Sequence, residues 1–195
     1  MKIACILMAA GTGERFGGNK LMTQLAGKPI IEYILGSLPV KRFSQCIGVS
    51  SDFEVLSRIE AHGLTAVRND LPTRGISRTI MLGIQHLDEP DACMFCVADQ
   101  PLLQRQTIED MIDSYLEGTL LSLSSHGKRG NPVIFPETML GELSDLQRGE
   151  YGTKVIYKHK GLLLLHDIPD ATQLLDIDNR RNFTRISKIM NKAIS

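Results

Sequence analysis

Apolar residues in this chain fall into short, nearly unbroken runs, and between those runs they recur at helical spacing instead. The runs Ile3–Leu7, Cys46–Val49, Thr65–Val67, Ala92–Val97, Leu120–Leu123, Val133–Phe135 and Leu162–Leu165 read as strands. The periodic stretches Ile30–Leu38, Phe53–Ala61, Ser77–Leu87, Thr107–Leu116, Thr138–Leu146, Thr153–Lys158 and Asn182–Asn191 read as helices. Each of the first four strands is joined to the next through a helix, which predicts βαβ units. The expected fold is therefore α/β: a mostly parallel, doubly wound sheet with a Rossmann-like nucleotide-binding half, in one domain over residues 1–195. In such sheets ligands bind beyond the carboxyl ends of the strands. The segments after the first, third and fourth strands, Ala9–Lys20, Asn69–Gly75 and Ala98–Leu102, should then face one crevice.

The first of these segments, Ala9-Ala10-Gly11-Thr12-Gly13-Glu14-Arg15-Phe16-Gly17-Gly18-Asn19-Lys20, carries the most chemistry. Its glycines allow a tight turn that brings backbone N–H groups near a ligand, and Arg15 and Lys20 add fixed positive charge, a combination suited to a polyphosphate. It is not a dinucleotide fingerprint: counting from Gly11, the third glycine would fall on Phe16. Nor is it a P-loop, because Asn19 follows Gly18 where a lysine belongs, and Leu21 follows Lys20 where a hydroxyl belongs. The dehydrogenase reading fails with the glycine spacing.

Composition narrows the partners. The 195 residues carry 22 Lys plus Arg against 22 Asp plus Glu, a net charge of zero without long charge runs, so neither nucleic acid nor a membrane surface is indicated. With 5% aromatic residues and no Trp there is little material for a base-stacking platform. No apolar run is long enough to span a bilayer. The N-terminal MKIACILMAAGTG has the look of a short signal peptide, but its apolar part is the first strand and leads into the glycine loop, so a cytoplasmic protein is expected. Cys93 and Cys96 form a Cys-x-x-Cys inside a buried strand, where residues three apart point to opposite faces, so the pair is read as two core thiols.

Three further clusters bear on chemistry. Asp99 stands at the tip of an apolar strand beside the glycine loop, placed to hold magnesium or to serve as a turn residue before Pro101. Asp176-Ile177-Asp178-Asn179 is a second metal ligand or the cap of the helix that follows. Gly127-Lys128-Arg129-Gly130-Asn131-Pro132 is a basic turn that binds an anionic acceptor or is a solvated hairpin. His62, His86, His126, His159 and His166 are scattered and read as non-catalytic.

The order of motifs is Ala-Ala-Gly-x-Gly-x-Arg-Phe-Gly-x-x-Lys-Leu over 9–21, Gly-x-Ser over 75–77, Ala-Asp-Gln-Pro over 98–101, Arg-Gly-Asn-Pro-Val-x-Phe over 129–135 and Asp-Ile-Asp over 176–178. This order resembles the molybdenum cofactor cytidylyltransferases, within the molybdopterin-type nucleotidyltransferases of glycosyltransferase-A-like, nucleotide-diphospho-sugar transferase-like fold. The resemblance implies transfer of CMP from CTP to a molybdopterin-type acceptor, with release of pyrophosphate, Mg2+ as cofactor and a molybdoenzyme as possible downstream partner. It implies that Ala9, Ala10, Gly11 and Gly13 cradle the nucleotide, that Arg15 and Lys20 hold its phosphates, and that Asn69, Gly75 and Ser77 line base and ribose. Asp99 is implied as magnesium ligand and catalytic residue, and Asp178 as the late acidic ligand. Ala10 matches the cytidylyl branch; the guanylyl branch has glycine there. The chain departs from the pattern at Gly149-Glu150-Tyr151-Gly152-Thr153-Lys154, where Gly-Asp-x-Gly-Ala-Arg is common. It departs again at Thr79-Ile80, where Ser-Leu is usual, with a bulky Arg78 alongside. A sugar- or terpenoid-phosphate nucleotidyltransferase would share loop and metal and differ in the acceptor. A non-catalytic nucleotide-binding accessory protein for a molybdoenzyme is the alternative outside enzymes.

Overall fold

The computed structural model describes residues 1–11, 13 and 16–194, with backbone alone at 193 and 194. Strand β1 (Ile3–Met8) leads through a two-stranded ribbon, β2 (Gln24–Leu25) and β3 (Lys28–Pro29), to helix α1 (Ile30–Ser37). Then come β4 (Cys46–Ser50), α2 (Phe53–Ala61), β5 (Thr65–Arg68), α3 (Ile76–Ile84) and β6 (Ala92–Val97). The second half contains α4 (Arg105–Ser114), β7 (Leu120–Ser125), β8 (Lys128–Pro136), α5 (Leu140–Ser144), α6 (Thr153–Lys158), β9 (Leu163–Asp167) and α7 (Arg180–Ile194). The main sheet runs β5-β4-β1-β6-β8-β7-β9. Its first four strands are parallel, β8 is antiparallel to both β6 and β7, and β9 returns parallel to β7. The expected mostly parallel α/β sheet is what forms.

Helices cover both faces, which explains the unbroken apolar runs. Along β1, Ile3, Cys5 and Leu7 pack into one layer with Ile31, Ile34 and Met111, while Ala4 and Ile6 enter the other with Ile80 and Leu143. The same alternation sends Cys96 into the first layer and Cys93 into the second, so the Cys-x-x-Cys shares no ligand; all four cysteines are buried free thiols. Gly83 lets α3 lie directly on β1, since a Cβ there would come 2.7 Å from Ile6 Cγ2.

Two sequence expectations change. The stretch 127–132 is not a turn: β8 begins at Lys128, and the reversal is the two-residue His126-Gly127, both at positive φ (50° and 73°). That backbone sign is what a tight hairpin demands, so the basic residues are strand residues. The helix expected over Thr138–Leu146 shortens to α5 after a 3-10 turn at Glu137–Met139. The strand expected over Leu162–Leu165 forms as edge strand β9, with Leu164 and Leu165 about two-fifths exposed (39% and 44%). The β2–β3 ribbon is too short for a hydrophobic pattern to announce it.

Candidate nucleotide site

The glycine loop is held from three directions. Ala9 N–H donates to Val49 O (2.8 Å) and its carbonyl accepts from Ser50 Oγ (3.0 Å), so β1's path continues beyond the strand. Gly13 O accepts from Phe16 N (2.9 Å) and Gly17 N (3.0 Å), closing a turn with Gly13 at φ +66°. A Cβ on Gly13 would stand 2.4 Å from Gly18 O, so no other residue fits there. Phe16 is buried edge-on against Phe183 (5.8 Å between centroids), with Arg180 over its ring at 4.3 Å and donating to its carbonyl. Asn19 Nδ2 reaches Asp52 Oδ2 (2.7 Å), while Asp52 Oδ1 caps α2 by accepting from Glu54 N and Val55 N. Arg15 lies outside the described residues.

The loop opens onto a cavity of about 370 Å³ at the carboxyl ends of β1 and β6. Ala9, Ala10, Gly11, Gly13 and Lys20 line it from the loop, Gly75 and Thr79 from the start of α3, and Asp99 and Asp178 from the far side. The three segments that follow the first, third and fourth predicted strands do meet there. Asn69 and Ser77 do not. Asn69 is buried behind the wall, where its Oδ1 accepts from Leu71 N (3.1 Å) and Arg78 Nε (3.2 Å) and its Nδ2 reaches Thr79 Oγ1 (3.3 Å). Ser77 lines a different cavity across α3. Bulky Arg78 also turns away from the crevice, onto Asp70.

Lys20 Nζ and Asp99 Oδ2 pair at 2.5 Å, with only 14% and 19% of the two side chains exposed. Asp99 O accepts from Ile177 N (3.0 Å), which draws the 176–178 segment alongside. Burial, then Asp178 and Asp99, hold the Asp176 carboxyl above the usual carboxylate range against the pull of Lys20. Lys20 thus shares its neighbourhood with three carboxylates, the kind of oxygen ligand a hard divalent cation takes. Among the described residues they form no ready-made cage of three or more His, Cys, Asp or Glu. Magnesium characteristically takes one or two carboxylates and leaves its other positions to phosphate oxygens and water. Asp99 and Asp178 are the pair facing the cavity.

Beside the crevice lies an apolar chamber of about 290 Å³, walled by Phe95, Val133, Phe135 and Ile156, with Arg129 and Asn131 as polar groups. It shares Met8, Ile76, Val97 and Tyr151 with the crevice. Tyr151, 59% exposed, is the residue that sequence reasoning passed over. Its signal was the departure at 149–154, where Glu150 and Lys154 form an ion pair at 2.6 Å and leave Tyr151 between them as the variable position. Among the described residues none of the five histidines lines crevice or chamber. His62 lies 3.3 Å from Glu32 and His159 lies 2.9 Å from Glu142.

A family model described as "MobA-like NTP transferase domain" matches residues 5–163. The molybdenum cofactor guanylyltransferase of Photobacterium profundum is 28% identical over 130 residues, 66% of this chain and 65% of that protein. The bifunctional protein GlmU of Desulfitobacterium hafniense (strain Y51) is 28% identical over 143 residues, 69% of this chain but only 31% of that protein. The match therefore spans less than two thirds of either relative's length. In fold, the chain superposes on a nucleotidyl transferase from Methanothermobacter thermautotroptrophicus with a TM-score of 0.83 at 20% identity, covering 98% of this chain and 99% of that one. No helix among the described residues is long and apolar enough to cross a membrane.

Proposed function

Because the chain belongs to the MobA-like NTP transferase family, we propose that it is a Mg2+-dependent nucleotidyltransferase moving CMP from CTP to the phosphate of a molybdopterin-type acceptor, with residues 1–195 acting as one catalytic domain. The observation that carries this reading is the Lys20–Asp99 pair at the mouth of the glycine loop, with Asp176 and Asp178 alongside. An oxygen of the acceptor phosphate attacks the α-phosphorus of CTP, and the bond to the bridging oxygen of pyrophosphate breaks. No covalent enzyme intermediate is needed; alignment and charge stabilisation suffice. Asp99 and Asp178 would hold Mg2+, whose chemistry there is to neutralise and orient the phosphates. Lys20, released from Asp99, holds leaving-group oxygens, and Arg15 serves the same charge. The loop's backbone fixes the nucleotide between Ala10 and Gly13.

Ala10 supports CTP, since its Cβ narrows the crevice wall where glycine would leave room for a purine. The apolar walls of the chamber suit a flat fused-ring acceptor better than a hydroxyl-rich sugar, with Arg129 and Asn131 for its polar edge. A terpenoid phosphate shares that apolar preference and is the second reading. Delivery of the product to a molybdoenzyme would follow in the cytoplasm. Pyrophosphate release measured with each NTP, with molybdopterin-type and terpenoid phosphate acceptors in turn, tests all of this. CTP with the molybdopterin-type acceptor should give the fastest release. Faster turnover of GTP or ATP removes the cytidylyl assignment, and nucleotide binding without release under every pairing leaves an accessory binding protein.

A further inference from the structure

Successive residues of a helix fan round its axis by about 100°, so α3 serves two cavities at once. Ile76, Thr79 and Ile80 face the crevice and the chamber. Ser77, Arg78 and Met81 face a separate cavity of about 370 Å³, which Arg74, Gln147 and Arg148 also line. Three guanidinium groups line this space and no carboxylate does. Arg78 is partly committed, to Asn69 Oδ1 at 3.2 Å and to Asp70. Among the described residues, Arg74 and Arg148 have no side-chain hydrogen bond or ion pair. The acid nearest Arg148 in sequence, Glu150, is taken by Lys154 (2.6 Å) and by Gln147 N–H (2.8 Å).

A second observation points the same way. Ser77 is 5% exposed and lines this cavity, yet its hydroxyl meets no partner among the described residues. Guanidinium forks and a donor hydroxyl together match the oxygens of phosphate groups.

We propose that the Arg74–Arg78–Arg148 cavity is a second anion site, separate from the nucleotide crevice, that binds a compound bearing a di- or triphosphate-class group. The group could belong to a free polyphosphate effector or to a nucleotide bound a second time, and the chemistry recognised is the same. The site stands or falls independently of the transfer reaction, because none of its arginines faces the crevice.

Calorimetric titration with tripolyphosphate, without magnesium and at about 0.15 M salt where exposed charges are already screened, is the direct test. The wild-type chain should show two binding events. Lys20→Ala should weaken the crevice event and spare the other. The double variant Arg74→Gln/Arg148→Gln, at two exposed positions, should weaken the other by at least roughly tenfold, as loss of two forks implies. A parallel titration with CTP shows whether a nucleotide also fills the second site, or only the free polyphosphate does. In the wild-type chain tripolyphosphate should also slow phenylglyoxal labelling of Arg74 and Arg148, but not of exposed Arg185. The proposal is overturned if Lys20→Ala abolishes all binding, if the double variant binds as wild type does, or if labelling at the three arginines responds alike.

Discussion

At the scale of single residues, the Lys20–Asp99 pair has two uses: at 2.5 Å each charge satisfies the other, and each is also the group a magnesium-bound triphosphate would compete for. Asp99→Asn keeps an oxygen for Lys20 to bind but removes the anionic ligand. The variant should melt close to wild type, while pyrophosphate release falls roughly 100- to 10,000-fold, about 3–5 kcal/mol of transition-state stabilisation. Near-normal release by a folded Asp99→Asn protein at saturating magnesium would mean that the aspartate is only a turn residue. Ala10 poses a subtler question. One methyl group in a pocket changes discrimination by only about 1–3 kcal/mol, roughly 10–200-fold. Ala10→Gly should therefore relax the preference for CTP over GTP without inverting it, as competition binding of the two nucleotides in magnesium will show. An unchanged ratio would place the base away from this wall.

At the scale of elements, α3 is where fold and site depend on each other most closely. Gly83→Ala adds helix propensity worth about 1 kcal/mol, but its Cβ meets Ile6 at 2.7 and 2.9 Å in a filled layer. Overpacking of that kind costs about 1–3 kcal/mol, so denaturant melts should show a net loss, and α3 displaced from β1 should also bind triphosphate more weakly. A stabilised variant with intact affinity would show that this contact yields easily. The same helix explains what the sequence could and could not disclose. Apolar runs reveal strands such as Ala92–Val97 because both faces are covered, and the βαβ order brings Gly11, Gly75 and Asp99 to one end of the sheet. Helical rotation hides which neighbours share a wall, so Ser77 turns its back on the crevice that Ile76 and Thr79 line. The reversal of β8 was masked by Lys128 and Arg129, whose charges look like a turn but stand on a strand. Tyr151 joins Met8 across a separation that only the packing of the 149–154 segment creates.

At the scale of the whole molecule, the site joins distant parts of the chain. The glycine loop is tied to α2 through Asn19 and Asp52, and to α7 through Phe16, Phe183 and Arg180. Asp99 reaches the 176–178 segment through the Ile177 N–H. Ligand binding should therefore stabilise the fold as a unit. For a ligand at about 100 times its dissociation constant, binding only to the native state adds about 2.7 kcal/mol. In a chain of this size that corresponds to a rise in Tm of about 5–11 °C. CTP with magnesium should produce a shift of this order. Burial first, and then repulsion from Asp178 and Asp99, hold Asp176 up; since a divalent cation relieves that repulsion, EDTA should remove most of the shift, leaving what Lys20 and the loop supply. Asp99→Asn should show a small shift whether or not magnesium is present. If the wild-type shift is the same with EDTA as with magnesium, the acidic residues do not hold a cation, and charge neutralisation in this crevice must come from Lys20 and Arg15 alone.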